Sequence, residues 1–332
     1  MTINFCTLFD SNYLSRAIAM YQSLQSNSGN FHLYIFAFDE AALHVLNKLQ
    51  LPHTTTISLK EFEDDELLRV KATRSNTEYC WTCTPSIILY SIEHFKLDNC
   101  TYIDADLFFY GDPKVLVEEM KDNSILLTEH HYSPEYDLTS QSGKYCVQFM
   151  TFKNDETGIK ALQWWRNACN EWCYQRVEDG KFGDQKYLDD WTTRFEKVHV
   201  LQNIGGGVAP WNIQQYDLVT EDGNHFIVEK ATGRKWKMIF FHFHGVKIVE
   251  EIYSWFDIAL FKKRKLIYAV YEMPEKFKKI IYDNYLIRLL SIGNRLKYYG
   301  MNLNLHAITK RRRNIENRIH RFLTGKSAEM SS

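Results

Sequence analysis

The chain lacks several segments that would define its class at once. It has no run of about 18 apolar residues, so no membrane-spanning helix is predicted. Residues 1–8 show no basic region followed by a long apolar one, so we expect no secretory signal. No G-x-G-x-x-G follows the first predicted strand and no Walker sequence occurs, which disfavours a dinucleotide-binding fold and a phosphate-binding loop of that type. The expected location is the cytoplasm.

Cysteine pairing is also missing. The seven cysteines have no regular spacing, and the C-x-x-C pair Cys80 and Cys83 is followed by no second pair, which disfavours a zinc or redox site. Cys169 and Cys173 are four residues apart in a predicted helix and would share one face. We expect free, buried thiols in a reducing compartment.

The composition predicts a large ordered core. Of the 332 residues, 45% are apolar and 15% aromatic, enough for one large or two ordinary domains. Charge is uneven: residues 256–332 carry 17 Lys and Arg against 6 Asp and Glu, a net of +11, which leaves 23 against 35, a net of −12, for residues 1–255. We therefore predict two regions, a catalytic domain at 1–250 and a basic helical region at 251–332.

The first part of the chain alternates strands and helices. Such alternation predicts a parallel sheet with helices on its faces, and ligands at the carboxyl ends of its strands. Ser11 or Asn12 is the predicted cap of the first helix. The predicted strands are 3–8, 31–38, 54–59, 124–128, 146–152, 198–201 and 239–247, with a hairpin across 231–234. The predicted helices are 13–26, 40–49, 61–70, one that begins at Pro85, 155–174, and one that opens at Gly183.

Two carboxylates, Asp104 and Asp106, lie between apolar runs that are predicted as buried strands. Such carboxylates repel each other and resist burial, and a divalent cation removes both problems. Oxygen ligands suit Mg²⁺ or Mn²⁺. Such an ion usually keeps open coordination positions, which a substrate diphosphate could occupy. In the alternative, one aspartate caps the next element and the other faces water, but flanking Ile103 and Leu107 disfavour a surface loop.

Two later segments carry further candidates. In a strand, the side chains of His242 and His244 would lie on the same face. One of them could be a third metal ligand, or both could be core histidines held by hydrogen bonds. Three glycines at 205–207 would let the backbone approach a ligand closely, or would simply form a flexible loop.

The basic region is amphipathic. Such helices are typical of membrane-surface elements, and the alternative is a helical bundle packed on the main domain. Nucleic acid is disfavoured because one basic tail follows an acidic body. The two predicted apolar stripes are Phe277, Ile281, Tyr285, Leu289, Ile292 and Leu296, and then Ile315, Ile319 and Phe322.

Three motifs together resemble a known family. Tyr-Ile-Asp-Ala-Asp at 102–106 resembles the Asp-x-Asp signature of GT-A glycosyltransferases. His-Phe-His-Gly at 242–245, followed by Lys247, resembles the His-x-x-Gly and lysine motif of glycosyltransferase family 8, the glycogenin and lipopolysaccharide galactosyltransferase group. The segment 183–188 resembles that group's Asp-Gln-x-x-Leu. The resemblance covers about residues 1–250 and implies a bacterial protein with a GT-A (Rossmann-like) mixed α/β sheet flanked by helices.

The resemblance implies a metal and diphosphate site. Asp106 and His242 would ligate Mn²⁺ or Mg²⁺. Asp104 would bind the metal through one oxygen or contact the nucleotide ribose. Lys247, with Gly245, would contact the diphosphate.

The resemblance also implies donor contacts. Thr7, Phe9 and Tyr13 would hold the nucleoside. Asp184 would bind hydroxyls of the donor sugar, and Gln185 would lie near the anomeric carbon. If the enzyme inverts configuration, a carboxylate must accept the acceptor's proton, and Asp184 is the candidate.

The implied function is metal-dependent transfer of a sugar from a nucleotide-sugar, a UDP-sugar by the family's habit, with retention of configuration. The acceptor would be a saccharide or a lipid-linked saccharide of surface polysaccharide or lipopolysaccharide, met at the inner face of the membrane. A competing interpretation is a sugar-phosphate nucleotidylyltransferase, but residues 9–13 lack the glycine-rich loop of that class. A second is a non-enzymatic adaptor that binds anionic surfaces through the basic tail, whose helices could also dimerise.

The chain departs from the family pattern at three places. Residues 146–148 are Cys-Val-Gln, whereas the family usually has Asn-x-Gly at this place. Lys186 occupies a position at which the family commonly has an acidic residue. Lys247 follows Gly245 by two residues rather than three, and the usual Pro-Trp after it is missing.

Overall fold

The structure is a computed structural model that describes residues 2–251 and 264–302. The strands in these ranges are β1 (Ile3–Phe9), β2 (Phe31–Ala37), β3 (Thr54–Ser58), β4 (Asn99–Ile103), β5 (Leu107–Phe109), β6 (Ile125–Glu129), β7 (Tyr145–Lys153), β8 (Val198–Val200), β9 (Tyr216–Glu221), β10 (Asn224–Glu229), β11 (Lys235–Lys237), β12 (Phe240–His242), β13 (Lys247–Glu251) and β14 (Arg264–Tyr268). The helices are α1 (Leu14–Asn27), α2 (Glu40–Leu49), α3 (Leu59–Phe62), α4 (Asp65–Lys71), α5 (Asn76–Phe95), α6 (Lys114–Glu119), α7 (Thr139–Ser142), α8 (Glu156–Glu171), α9 (Trp191–Arg194), α10 (Glu275–Phe277) and α11 (Asp283–Leu296).

The central element is a seven-stranded mixed sheet in the order β3-β2-β1-β4-β7-β6-β8. Strands β3, β2, β1 and β4 are parallel, β7 is antiparallel to both β4 and β6, and β8 is parallel to β6. Strands β9 to β11 form a separate three-stranded sheet that contains the predicted hairpin. The carboxyl ends of β1, β2 and β4 therefore meet at one edge of the main sheet.

Both faces of the sheet are covered. Along β1, Phe5 and Phe9 belong to one core cluster and Cys6 and Leu8 to the other, as the alternation of a strand requires. Helices α1, α2 and α11 contribute to the first cluster, and α5 and α8 to the second. The predicted fold class, an α/β protein with a mixed sheet flanked by helices, is confirmed.

The predicted cap of α1 is wrong. Its N-cap residue is Tyr13, which makes no side-chain cap hydrogen bond. The backbone N–H of Ser11 donates to the carboxylate of Asp39 (2.8 Å), and the Asn12 side chain donates to Asp10 (3.0 Å). The loop after β1 is thus held to the loop after β2 instead of capping its own helix.

Two further helix predictions need correction. Pro85 lies inside α5 and does not begin it, because Ser75 and Glu78 form a capping box that starts the helix at Asn76, nine residues earlier. The helix predicted at 61–70 is two helices, since Asp64 accepts a hydrogen bond from Leu67 N–H and begins α4.

The segment after Gly183 is less helical than predicted. Gly183 has a φ of +53°, and a 3₁₀ turn at Lys186–Asp190 precedes the four-residue α9. The chain therefore enters this segment through a left-handed residue, which favours glycine.

The three consecutive glycines form a buried turn and not a flexible loop. A Cβ on Gly205 would lie 1.9 Å from the carbonyl oxygen of Lys237, and one on Gly206 would lie 2.7 Å from Leu116. Close packing between β11 and α6 thus accounts for glycine at two of the three positions.

The first predicted stripe of the basic region is buried in the core of the main sheet. All six of its residues are at most 3% exposed. Tyr285 stacks on Phe243 with ring centroids 3.6 Å apart, and Phe277 packs near Phe241. For this stripe the structure shows the packed alternative, whereas the stripe at 315–322 lies outside the described residues. The division of the chain at residue 250 stays a prediction.

Among the described residues, no helix combines the length and apolar character needed to cross a membrane.

Candidate active site

Asp104 and Asp106 lie at the carboxyl end of β4, as the sequence predicts. The backbone N–H of Leu107 donates to the carbonyl of Asp104 (3.2 Å), so the chain makes a tight turn between β4 and β5. Asp106 is buried, and the Asp104 side chain is 27% exposed. Both carboxylates therefore lie at the edge where β1, β2 and β4 end.

His242 reaches this edge because β12 pairs antiparallel with β5, which places His242 opposite Leu107. Its Nε2 atom lies 3.1 Å from Asp106 Oδ1 and 3.5 Å from Asp104 Oδ2. One ligand atom from each of the three residues falls within 4.8 Å of the others. The strand predicted at 239–247 is shorter than expected, because the chain turns after Phe243 and Gly245 adopts a φ of +66°.

Gln148 on β7 orients two of these three residues. Its backbone carbonyl accepts a hydrogen bond from the Asp104 N–H (3.0 Å). Its side-chain Oε1 lies 2.7 Å from His242 Nδ1, so an N–H at Nδ1 donates to it. In the neutral ring the proton would therefore stay at Nδ1, and Nε2, which faces the two carboxylates, would be free to bind a metal.

The negative charges of Asp104 and Asp106 are only partly compensated by neighbouring positive charge. Burial raises the pKa of Asp104, and repulsion from Asp106 adds to the rise. Burial also disfavours the charged form of Asp106, but His242 holds the pKa of that carboxyl below its usual value. Against the effect of burial, the two carboxylates raise the pKa of His242 well above its usual value. The positive charge of protonated His242 thus offsets part of the negative charge of the two carboxylates.

These donors fit a divalent cation. Two carboxylates and an imidazole are hard and borderline ligands that suit Mn²⁺ or Mg²⁺. Three protein ligands leave further positions open for a substrate. A bound cation would also replace the proton on His242 and compensate both carboxylates. Asp104, Asp106 and His242 could therefore hold a metal ion.

A cavity of about 230 Å³ opens beside the cluster. Asp104, His242, Asp184 and Gln185 all line it. The Asp184 side chain is buried, and its backbone carbonyl accepts a hydrogen bond from the Trp165 indole (2.9 Å). Burial, and then repulsion from Asp104, raises the pKa of Asp184 to about 7. The cavity therefore lies between the cluster of Asp104, Asp106 and His242 and a carboxylate whose pKa is near 7.

Five other predicted site residues do not line this cavity. Thr7 is fully buried in β1, and its hydroxyl has no hydrogen-bond partner, while Phe9 is buried in the core. Tyr13 is close enough to Asp106 that the carboxylate raises the pKa of the phenol to about 12. Gly245 and Lys247 are exposed after the turn, with Lys247 at the start of β13. The donor contacts assigned to these five residues stay predictions.

Besides the contact of Gln148 with His242, sequence reasoning missed two residues near the cluster. Arg16 on α1 is buried, donates to the carbonyl of Val246 (2.9 Å), and lowers the pKa of Asp106. Trp211 packs edge-on against His242 and His244 at 5.3 and 5.4 Å. An arginine near the start of a helix and a tryptophan after a glycine run carry no local signal of such contacts.

The fold and this cluster define an α/β protein with a candidate divalent-metal centre at the carboxyl edge of its sheet. No family model matches the chain. It is 32% identical over 256 residues to the uncharacterized protein YfnD of Bacillus subtilis (strain 168), and the matched region covers 75% of this chain and 80% of YfnD. It is 34% identical over 258 residues to the uncharacterized protein YfnF of the same organism, and the matched region covers 75% of this chain and 83% of YfnF. The chain belongs to the family of YfnD and YfnF.

Among solved structures, similar folds include mouse xyloside xylosyltransferase 1, with a TM-score of 0.46 and 12% identity over 74% of this chain and 98% of that chain. An active-site mutant of LgtC has a TM-score of 0.46 and 11% identity over 73% of this chain and 88% of that chain. The bifunctional glycosyltransferase WbbM has a TM-score of 0.43 and 13% identity over 63% of this chain, which spans 40% of WbbM. Since all three TM-scores are below 0.5, we base the proposed function on the residues of this chain.

Proposed function

We propose that this protein is a GT-A glycosyltransferase that moves a sugar from a nucleotide-sugar, a UDP-sugar, to a saccharide or lipid-linked acceptor, with Mn²⁺ or Mg²⁺ as cofactor. The observation that carries the proposal is the convergence of Asp104, Asp106 and His242 beside a cavity that Asp184 and Gln185 also line. The cellular role would be surface polysaccharide or lipopolysaccharide synthesis at the cytoplasmic face of the membrane.

Asp104, Asp106 and His242 would hold the metal ion, which when bound supplies positive charge against the leaving diphosphate. Gln148 keeps His242 in the tautomer that presents Nε2. Lys247 would add a second positive charge near the diphosphate, and Arg16 already offsets part of the charge of Asp106. These residues favour departure of the nucleoside diphosphate.

Asp184 and Gln185 would act on the sugar. The buried Asp184 would accept hydrogen bonds from the sugar's hydroxyls, and the dipole of the Gln185 amide would stabilise positive charge at the anomeric carbon. With retention, the leaving phosphate accepts the acceptor's proton, whereas with inversion Asp184 does so. The small cavity, walled by aromatic residues such as Trp81 and Trp211, would exclude water that competes with the acceptor.

The direct test is thermal stabilisation by UDP, GDP, CMP and dTDP, each with and without Mn²⁺. A ligand that binds only the folded state raises the melting temperature by mass action. We expect UDP to do so only with Mn²⁺, and the matching UDP-sugar to be hydrolysed slowly without acceptor. Stabilisation by none of the four nucleotides would overturn the proposal.

Gln148→Leu is expected to weaken Mn²⁺ binding roughly 10- to 100-fold, because His242 then loses the hydrogen bond that sets its tautomer. Gln148→Glu keeps an oxygen that accepts from Nδ1 and is expected to retain most of the affinity. Titration of Mn²⁺ by electron paramagnetic resonance, without nucleotide, measures both variants. Equal losses in the two variants would show that Gln148 acts through packing and not through the hydrogen bond.

A further inference from the structure

A second concave surface lies at the other end of α1 from the candidate active site. This groove has a volume of about 570 Å³ and is bordered by α1, the end of β5, the β9–β10 turn and α11. Arg16, near the start of α1, lies close enough to Asp106 to lower its pKa, whereas Gln25 lines the groove. Nine helical residues separate these two positions by about 14 Å, so the groove is distinct from the cluster of Asp104, Asp106 and His242.

The groove is basic. Arg288 and Arg295 on α11 line it, and both are exposed. Within residues 2–251 and 264–302, neither arginine forms an ion pair, and no carboxylate lines the groove. Unpaired arginines without a neighbouring acid favour an anionic ligand.

The rest of the lining favours a saccharide. Gln22 and Gln25 bring side-chain amides, and the Oε1 atom of Gln22 is buried without a hydrogen-bond partner. Tyr110 and His225 bring aromatic rings that meet edge-on with centroids 5.2 Å apart. Amides suit sugar hydroxyls and aromatic rings suit the apolar faces of sugars, and the volume lies within the roughly 300–1,000 Å³ of ligand sites.

The spacing and shape narrow the ligand further. Arg288 and Arg295 are seven residues apart on one helix face, about 10 Å along its axis, which favours two separated anionic groups over a single phosphate. A concave groove does not match a flat bilayer surface. We propose that this groove binds a short saccharide chain that carries carboxylate or phosphate groups on separate sugars. This inference rests on the proposed function, because the bound chain would be the acceptor of the proposed glycosyltransferase.

The test is calorimetric titration of the full chain with two probes of equal length. One is a hyaluronan hexasaccharide, which has a carboxylate on every second sugar, and the other is neutral maltohexaose. The groove variant combines Arg288→Ala with Arg295→Ala. The matched control combines Lys276→Ala with Lys297→Ala, which removes two exposed charges outside the groove. UDP with Mn²⁺ is titrated separately into all three proteins.

We expect the hyaluronan probe to bind the groove variant at least about tenfold more weakly than the unmodified chain, and the control within about twofold. Maltohexaose is expected to bind much more weakly. Equal losses in both variants, equal binding of maltohexaose, or no hyaluronan binding would overturn the groove proposal. So would arginine-dependent binding of phosphatidylglycerol vesicles or inorganic phosphate alone. Hyaluronan binding without UDP binding would instead overturn the glycosyltransferase proposal and leave the groove in place.

Discussion

Replacement of Asp106 by asparagine is expected to lower Mn²⁺-dependent transfer roughly a thousandfold. The amide is neutral and a weaker ligand than the carboxylate. It also removes the partner that lies 3.1 Å from His242 and raises the pKa of that ring. The variant thus loses one ligand directly and part of the environment that orients a second.

The measurement is the transfer rate together with Mn²⁺ affinity, with circular dichroism to check the fold. Asp217→Asn is the matched control, because Asp217 is exposed on β9 and the substitution is chemically the same. We expect the control to keep its rate within about twofold, as surface substitutions usually do. Near-normal transfer by the Asp106 variant would remove Asp106 from the metal site.

Asp184→Asn is expected to abolish most transfer and yet make the ligand-free protein more stable at pH 8. Burial and Asp104 raise the pKa of Asp184 from 3.8 to about 7 in the folded state. The folded protein therefore holds a proton that the unfolded chain has released, so stability falls as pH rises from about 4 to about 7. A pKa rise of this size corresponds to roughly 4 kcal/mol at most, and asparagine avoids that loss.

Urea unfolding at pH 5 and pH 8 measures this effect. We expect the Asp184 variant to exceed the unmodified chain by a wider margin at pH 8 than at pH 5, while Asp217→Asn shifts neither value. Asparagine has nearly the same size as aspartate and keeps one side-chain oxygen that can accept hydrogen bonds. A variant less stable than the unmodified chain at pH 8 would contradict the stated cause of the pKa shift.

The sequence predicted the elements whose signals are local. The predicted bounds of the helix at 40–49 agree with the structure, in which Asp39, directly before it, is the N-cap residue. The stripe from Phe277 to Leu296 was recognisable from its spacing, and all of its residues are buried. Pro85 misled the prediction, because a proline within a helix and a proline that starts one look alike until the Ser75 capping box is recognised.

Residues that are distant in the chain account for what was missed. Gln148 contacts His242 across 94 positions. Arg16 reaches the carbonyl of Val246 across 230 positions. Neither contact follows from the period or composition of its own segment, because sheet order and strand pairing decide which loops meet.

By itself the sequence determined the α/β class, the acidic pair after a buried strand, and the separation of an acidic body from a basic end, because each depends on neighbouring residues or on composition. Only the tertiary structure decided that β12 pairs with β5 and brings His242 to the two aspartates. It also decided that Asp184 is buried near Asp104, and that Arg288 and Arg295 border a groove that no carboxylate of residues 2–251 and 264–302 lines. The physical reason is that burial and electrostatic neighbours belong to the packed chain, whereas periodicity and charge count belong to each segment.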